Sequence, residues 1–198
     1  MIKIAIAGNI ASGKSEVQKI IEQYGYDVLD TDKVSHEILK NNSKDIKFLF
    51  PDKDITTDNG EISREKLGKI VFQNSDFKQK LENYMHPIIK KNIEEFFTKN
   101  SDKEFSFVGI PLIFEAEMNN LFDKIIFVYC DDEIREKRLI KRNNYSIEYA
   151  KQRMASQMPQ GEKVKLSDII ICNNGSLEEL KSSVTGILSE LREGNKSA

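Results

Sequence analysis

The sequence contains no tryptophan, two cysteines and four prolines in 198 residues. Cys130 and Cys172 lie far apart, each at the end of an apolar run. That excludes a disulfide framework and any cysteine-based metal spacing, and both read as buried core thiols. No excess of one charge exists, with 30 basic residues against 32 acidic ones and a net charge of −2. A global nucleic-acid-binding or membrane-binding surface is therefore not expected. No apolar run is long enough to cross a bilayer, and the first, residues 2–7, is too short for a signal peptide. Internal repeats are absent, and no obligate protein partner is evident. Residence in a reducing cytoplasm is the expectation.

What remains is a chain of one domain's length, 39% apolar and 31% charged. Five short runs rich in Ile, Val and Phe read as strands: residues 2–7, 26–29, 105–110, 124–130 and 169–172. They lack strict alternation, as strands buried on both faces do. Helical patterns separate them. Val17, Ile20, Ile21 and Tyr24 recur at helical spacing, and the last helix carries Leu177, Leu180, Val184, Ile187, Leu188 and Leu191 on one face. Ser176 and Glu179 predict a capping box at its start. The expected fold is α/β, a five-stranded parallel sheet flanked by helices. Its core comprises residues 1–31, 103–130 and 168–192. Two insertions break the alternation: a helical lobe over 32–102 and a basic helical lid over 131–167. In the lobe, Ser63 predicts a helix cap, and Pro87 stands where a helix can begin. The polar tail 193–198 is expected to be disordered.

Gly8-Asn9-Ile10-Ala11-Ser12-Gly13-Lys14-Ser15 matches G-x-x-x-x-G-K-S, after a strand and before an amphipathic helix. Glycines let the backbone curl, its amides form an anion cradle, and the helix N-terminus adds partial positive charge. Lys14 can reach the outer phosphates, and the Ser15 hydroxyl can ligate Mg²⁺. The predicted ATP site is Gly8 to Ser15 together with Glu16. No guanine-reading Asn-Lys-x-Asp follows a strand, so a GTPase is disfavoured. A small kinase with an acceptor lobe and a basic lid fits the length.

Such a kinase benefits from a carboxylate at its acceptor. Asp30-Thr31-Asp32 follows the second strand, and Asp30 can cap the next helix. Asp32 can take or orient the acceptor hydroxyl's proton. Both can equally be caps or surface charges. The lid candidate carries Arg135, Lys137, Arg138, Lys141 and Arg142. Arg138 and Arg142 share a face at i and i+4 and can clamp a transferring phosphoryl. A charge run is more often a solvated face; the kinase context favours the clamp. The lid is expected to close over the phosphates and exclude water, with Arg138 and Arg142 pointing away from the loop or poorly ordered when no ligand is bound.

Together these residues resemble the dephospho-CoA kinase family over nearly the whole chain. Asp30-Thr31-Asp32 resembles its Asp-Ala-Asp. Gly60-Glu61-Ile62-Ser63-Arg64 resembles Gly-x-Leu-Asp-Arg, with Ser63 for Asp. Leu81-Glu82 with His86-Pro87, and Pro111-Leu112-Ile113-Phe114-Glu115, follow its pattern. So do Arg138, Arg142, Gln157-Met158, Lys163, Asp168 and Asn173-Asn174-Gly175. The resemblance implies transfer of the γ-phosphoryl of ATP to the ribose 3′-hydroxyl of dephospho-CoA, giving coenzyme A and ADP. It implies Asp32 at the acceptor, Lys14, Arg138 and Arg142 on the phosphoryl, Mg²⁺ with ATP, and Asn173 near the adenine. Pro111, Leu112, Glu115 and His86 become acceptor-side candidates. For His86 a helix cap or buried polar site stands beside that reading. For Glu115 a metal-bound water, the acceptor and a purely tethering role all stand open. The phosphate loop departs from the family's usual Gly-Gly-Ile-Gly-Ser-Gly at Asn9 and Ala11. A nucleoside or nucleotide kinase is the first alternative, but its acceptor phosphate calls for arginines and the lobe offers Arg64 alone. A non-catalytic nucleotide switch would need no acceptor carboxylate.

Overall fold

The computed structural model describes residues 1–196. The elements run β1 (Ile2–Gly8), α1 (Lys14–Gln23), β2 (Val28–Asp30), α2 (Thr31–Asn41), α3 (Ser43–Leu49), α4 (Arg64–Gln73) and α5 (Ser75–Lys99). They continue with β3 (Phe105–Gly109), a short 3-10 turn (Asn119–Leu121), β4 (Lys124–Tyr129) and α6 (Asp132–Asn143). α7 (Ile147–Ala155), α8 (Gln160–Lys165), β5 (Ile169–Cys172) and α9 (Leu177–Lys196) complete the chain. The strands form one parallel sheet in the order β2-β3-β1-β4-β5, so the strand bearing the phosphate loop is central.

Centrality explains the composition of β1. Ile4 and Ile6 join Phe105, Phe107, Ile126 and Val128 in a core shared with Val17, Ile20 and Ile21 of α1 and Leu180, Val184 and Leu188 of α9. Ala5 and Ala7 point to the other face and are equally buried. Each such Ile or Phe stabilises the fold by about 1.5–3 kcal/mol. The outer strands differ. β5 exposes Ile170 and Cys172 on one face, and β2 is only half-buried. The expectation of a buried Cys172 is therefore corrected: an edge strand covered on one side leaves it exposed, while Cys130 is buried.

The chain divides into two compact units. One joins Met1–Leu29 to the chain from Lys99 on, and the other is Asp30–Thr98. The first includes the helices of the basic insertion. The second has its own apolar core of Ile46, Phe50, Ile55, Ile62 and Leu67. The Ser63 hydroxyl caps α4 by accepting from the Lys66 amide (3.3 Å). The Asp30 carboxylate caps α2 by accepting from the Asp32 amide (3.0 Å). In the first unit, Ser176 and Glu179 form the reciprocal capping box at 2.8 and 3.2 Å.

Two expectations fail. α9 continues through Lys196, into the stretch assigned to a disordered tail; residues 197 and 198 lie outside the described residues. Pro87 does not begin a helix but sits inside the 25-residue α5. Burial overrides the local signal here: Met85, Ile89, Ile93 and Phe97 form an i, i+4 stripe facing inward. Pro87 and Asn83, whose carbonyl loses its helical partner, are both on the exposed side. No described helix is long and apolar enough to cross a membrane.

A proline inside a helix removes a hydrogen bond and crowds the preceding turn. Pro87→Ala should therefore raise the free energy of unfolding by about 1–3 kcal/mol, read from urea denaturation. An unchanged or lower value would show that α5 already accommodates the ring.

Candidate active site

The phosphate loop spans the residues between β1 and α1. At its start, a Cβ on Gly8 would lie 2.5 Å from the Ser12 hydroxyl and 3.2 Å from the Val128 carbonyl, so β4 and the loop close over a bare backbone. At its end, Gly13 is the N-cap of α1 with φ 97 and no side chain caps the helix. A Cβ on Gly13 would meet the Asn173 side-chain nitrogen at 2.0 Å. Only glycine meets both demands. The first helical bonds are donated by Glu16 and Val17 to the Gly13 carbonyl. The amides of Lys14 and Ser15 thus belong to the helix start, where an anion is favoured.

Ala11 has φ 62, the left-handed conformation. That costs a residue with a Cβ about 1–2 kcal/mol. It is held between two tethered neighbours. Ile10 donates its N–H to Gln157 Oε1 (2.7 Å) and accepts from Arg135 Nε (3.0 Å) at its carbonyl. The Ser12 N–H donates to the Asn9 carbonyl (3.0 Å), and the Ser12 carbonyl accepts from Asn173 Nδ2 (2.7 Å). Asn9 is itself buried and donates Nδ2 to the Met158 carbonyl (3.0 Å).

Lys14 is buried along its stem and donates to Gln18 Oε1 (3.2 Å) one turn on. Ser15 is exposed on the first turn of α1, and Glu16 beside it pairs with Lys19 (3.3 Å). Arg138 reaches the loop: its Nη1 is 3.9 Å from a Cβ built on Gly13 and donates to Cys130 Sγ (3.4 Å). Burial pushes the Cys130 thiol above its ordinary value, and Arg138 opposes that. Arg142 is exposed and donates to Asn143 (2.8 Å). The expectation that both candidate clamp residues point away from the loop without ligand is corrected for Arg138, which its bond to Cys130 holds toward Gly13.

Arg135 has a structural place. It is 2% exposed, paired with Asp132 (2.8 Å) and bound to the Ile10 carbonyl. Burial pushes its guanidinium below its ordinary value, against the pull of Asp132. Glu115 makes tethering bonds through one oxygen, and its buried Oε2 has no partner among the described residues. Its Oε1 accepts from the Met158 amide (3.1 Å) and pairs with Lys163 Nζ (2.7 Å). Lys163 is fully buried and also donates to the Pro111 carbonyl (3.3 Å). Burial pushes its ammonium below the ordinary lysine value, and Glu115 opposes this. Pro111 and Leu112 are half-buried in the loop after β3.

Gln157, Gln160 and Lys163 are the residues sequence reasoning left without roles. Gln160 closes the end of β4, donating to the Cys130 carbonyl (2.9 Å) and to Asp132 (2.8 Å). Such residues lie outside any contiguous pattern; only the family's Gln-Met and Lys marked Gln157 and Lys163.

In the other unit, Asp32 stands exposed in the first turn of α2 while Asp30 serves as its cap. The two carboxylates thus have different jobs. His86 is half-buried in the middle of α5, one residue before Pro87, and so caps no helix. Among the described residues no group of three or more His, Cys, Asp or Glu can hold a metal. The exposed Ser15 hydroxyl is a hard oxygen donor of the kind Mg²⁺ takes alongside phosphate oxygens.

A family model described as dephospho-CoA kinase matches residues 2–179. A dephospho-CoA kinase of Carboxydothermus hydrogenoformans is 38% identical over 191 residues, covering 94% of this chain and 93% of its own. A Thermus thermophilus protein of solved structure superposes with a TM-score of 0.82 at 33% identity, covering 96% of this chain and 97% of its own. The dephospho-CoA kinase from Campylobacter jejuni superposes at 0.73 and 33% identity, covering 98% of both chains.

Two outcomes check this geometry. Ala11→Gly should stabilise the chain by about 1 kcal/mol in urea, because the left-handed strain outweighs the extra freedom of unfolded glycine. Glu115→Ala should destabilise it by about 2–4 kcal/mol, because it strands the buried Lys163 charge. If Glu115 only touched metal or acceptor, the second variant would lose turnover with its unfolding midpoint unchanged.

Proposed function

The chain belongs to the dephospho-CoA kinase family, and on that premise we infer how its residues divide the work. The activity is ATP-dependent phosphorylation of dephospho-CoA, the last step of coenzyme A synthesis. The phosphoryl donor is ATP, bound at Gly8 to Ser15. The acceptor atom is the ribose 3′-hydroxyl.

The observation that carries the reading is Arg138 turned toward Gly13, at the helix start where phosphate charge is favoured. Lys14 and Arg138 stabilise the negative charge that spreads over the transferring phosphoryl. Arg142, one turn further along α6, joins them when the lid closes. Asp32 accepts or orients the proton of the 3′-hydroxyl, with Asp30 fixing the first turn of its helix. The bond from Asn173 to the Ser12 carbonyl supports a positioning role at the loop, with the adenine beyond it. Pro111, Leu112 and His86 belong to the acceptor side. Glu115 acts there indirectly, by holding the 157–158 turn.

Mg²⁺ supplies charge neutralisation on the phosphate oxygens when it accompanies ATP, and Ser15 is the residue that would hold it. Both cysteines are free thiols, which suits the reducing cytoplasm in which we place the enzyme.

An ADP-release assay with Mg-ATP and a panel of acceptors tests the assignment. Dephospho-CoA should be strongly preferred over adenosine and nucleoside monophosphates; comparable rates would sink it. Asp32→Asn should retain ATP binding and lose turnover by about 10²-fold or more. Full turnover in that variant would remove Asp32 from the reaction.

A further inference from the structure

Asn9 and Ala11 stand two residues apart, and the bonds around them fall on either side of the strained one. Ala11 holds φ 62, which is adverse for any side chain with a Cβ. Ile10 before it is tied to Gln157 and Arg135, and Ser12 after it is tied to Asn9 and Asn173. Strained backbone of this kind persists only where the surroundings over-determine it.

Asn9 contributes to that restraint through its side chain. It is 4% exposed, and Nδ2 donates to the Met158 carbonyl at 3.0 Å. A carbonyl can only accept, so the orientation of the Asn9 amide is fixed by chemistry. Its Oδ1 has no partner among the described residues. A half-satisfied buried amide is adverse in itself, so the side chain is not a neutral filler. Met158 is a firm anchor, because its own N–H is held by Glu115, which is paired with the buried Lys163. A glycine at position 9 makes no such bond.

We propose that Asn9 is a positioning residue for ATP: its bond to Met158 holds the first half of the loop and so keeps Ala11 in the left-handed conformation that the phosphate cradle requires. Asn9 is needed because Ala11 is there. Without the bond, Ala11 relaxes toward negative φ, and the amides that follow it turn away from the phosphates. Glycine at position 11 has no such tendency, since both signs of φ are open to it. The two departures from the glycine-rich loop are therefore one compensated pair. The proposal rests on the reading that this loop binds ATP.

The test is a double-mutant cycle on the full chain, read by calorimetric titration with ATP and by steady-state kinetics. Asn9→Ala should raise the Kd for ATP about five- to tenfold, the worth of one buried hydrogen bond. More of the kinetic loss should fall in KM for ATP than in kcat. Adding Ala11→Gly should return the Kd to within about twofold of the parent, since the glycine no longer needs the restraint. Should circular dichroism show that Asn9→Ala does not fold, Asn9→Gly with and without Ala11→Gly decides the matter. Unchanged ATP affinity in the Asn9 variant overturns the proposal, and so does a loss that Ala11→Gly leaves unrelieved. A parent chain that binds no ATP would instead refute the kinase reading.

Discussion

The structure of this kinase depends first on how its phosphate loop is held. A loop that points several amides at one anion has little hydrogen bonding of its own, so other groups must restrain it. Here the restraint comes from two sides. Asn173, just after β5, donates to the Ser12 carbonyl. Gln157 and Arg135, from the basic helical insertion, take both backbone groups of Ile10. The central place of β1 in the sheet provides the base, because Gly8 still pairs with Val128 of β4 as the loop begins. Preorganisation of this kind matters for catalysis because the donors need no rearrangement when charge develops.

The same restraint accounts for the buried charges nearby. Lys163 and Arg135 are each almost wholly buried, and burial disfavours both. Their partners, Glu115 and Asp132, are more exposed. Such pairs contribute little net stability but are expensive to break. They fix the 157–158 turn and the start of α6 in relation to the loop. The start of α6 is thus anchored to the phosphate loop, while Arg142 at its far end stays exposed.

Much of the fold was legible in the sequence because its signals are local. All five strands appear within two residues of the expected ends, since buried parallel strands read as apolar runs. The caps at Asp30, Ser63 and Ser176 were legible for the same reason. The errors came where a distant contact decided. Pro87 lies in a continuous helix because the stripe from Met85 to Phe97 is buried. Cys172 is exposed because β5 is an edge strand. In the site, the phosphate loop announced itself by its contiguous pattern, whereas the spacing of Arg138 and Arg142 alone favoured a solvated face. Gln157, Gln160 and the buried pair of Lys163 with Glu115 did not announce themselves, because polar tethers about 30 to 150 residues from their partners leave no periodic trace. The strain at Ala11 was visible only as an unusual residue type; its φ gives that oddity a physical meaning.

The restrained loop should deliver the γ-phosphoryl of ATP to an alcohol and not to water. A single-turnover reaction tests it most directly, with enzyme in excess over ATP labelled in the γ-phosphate and dephospho-CoA present. The label should end on the ribose 3′-hydroxyl, recovered as coenzyme A. Label recovered chiefly as inorganic phosphate, with dephospho-CoA unchanged, would contradict it.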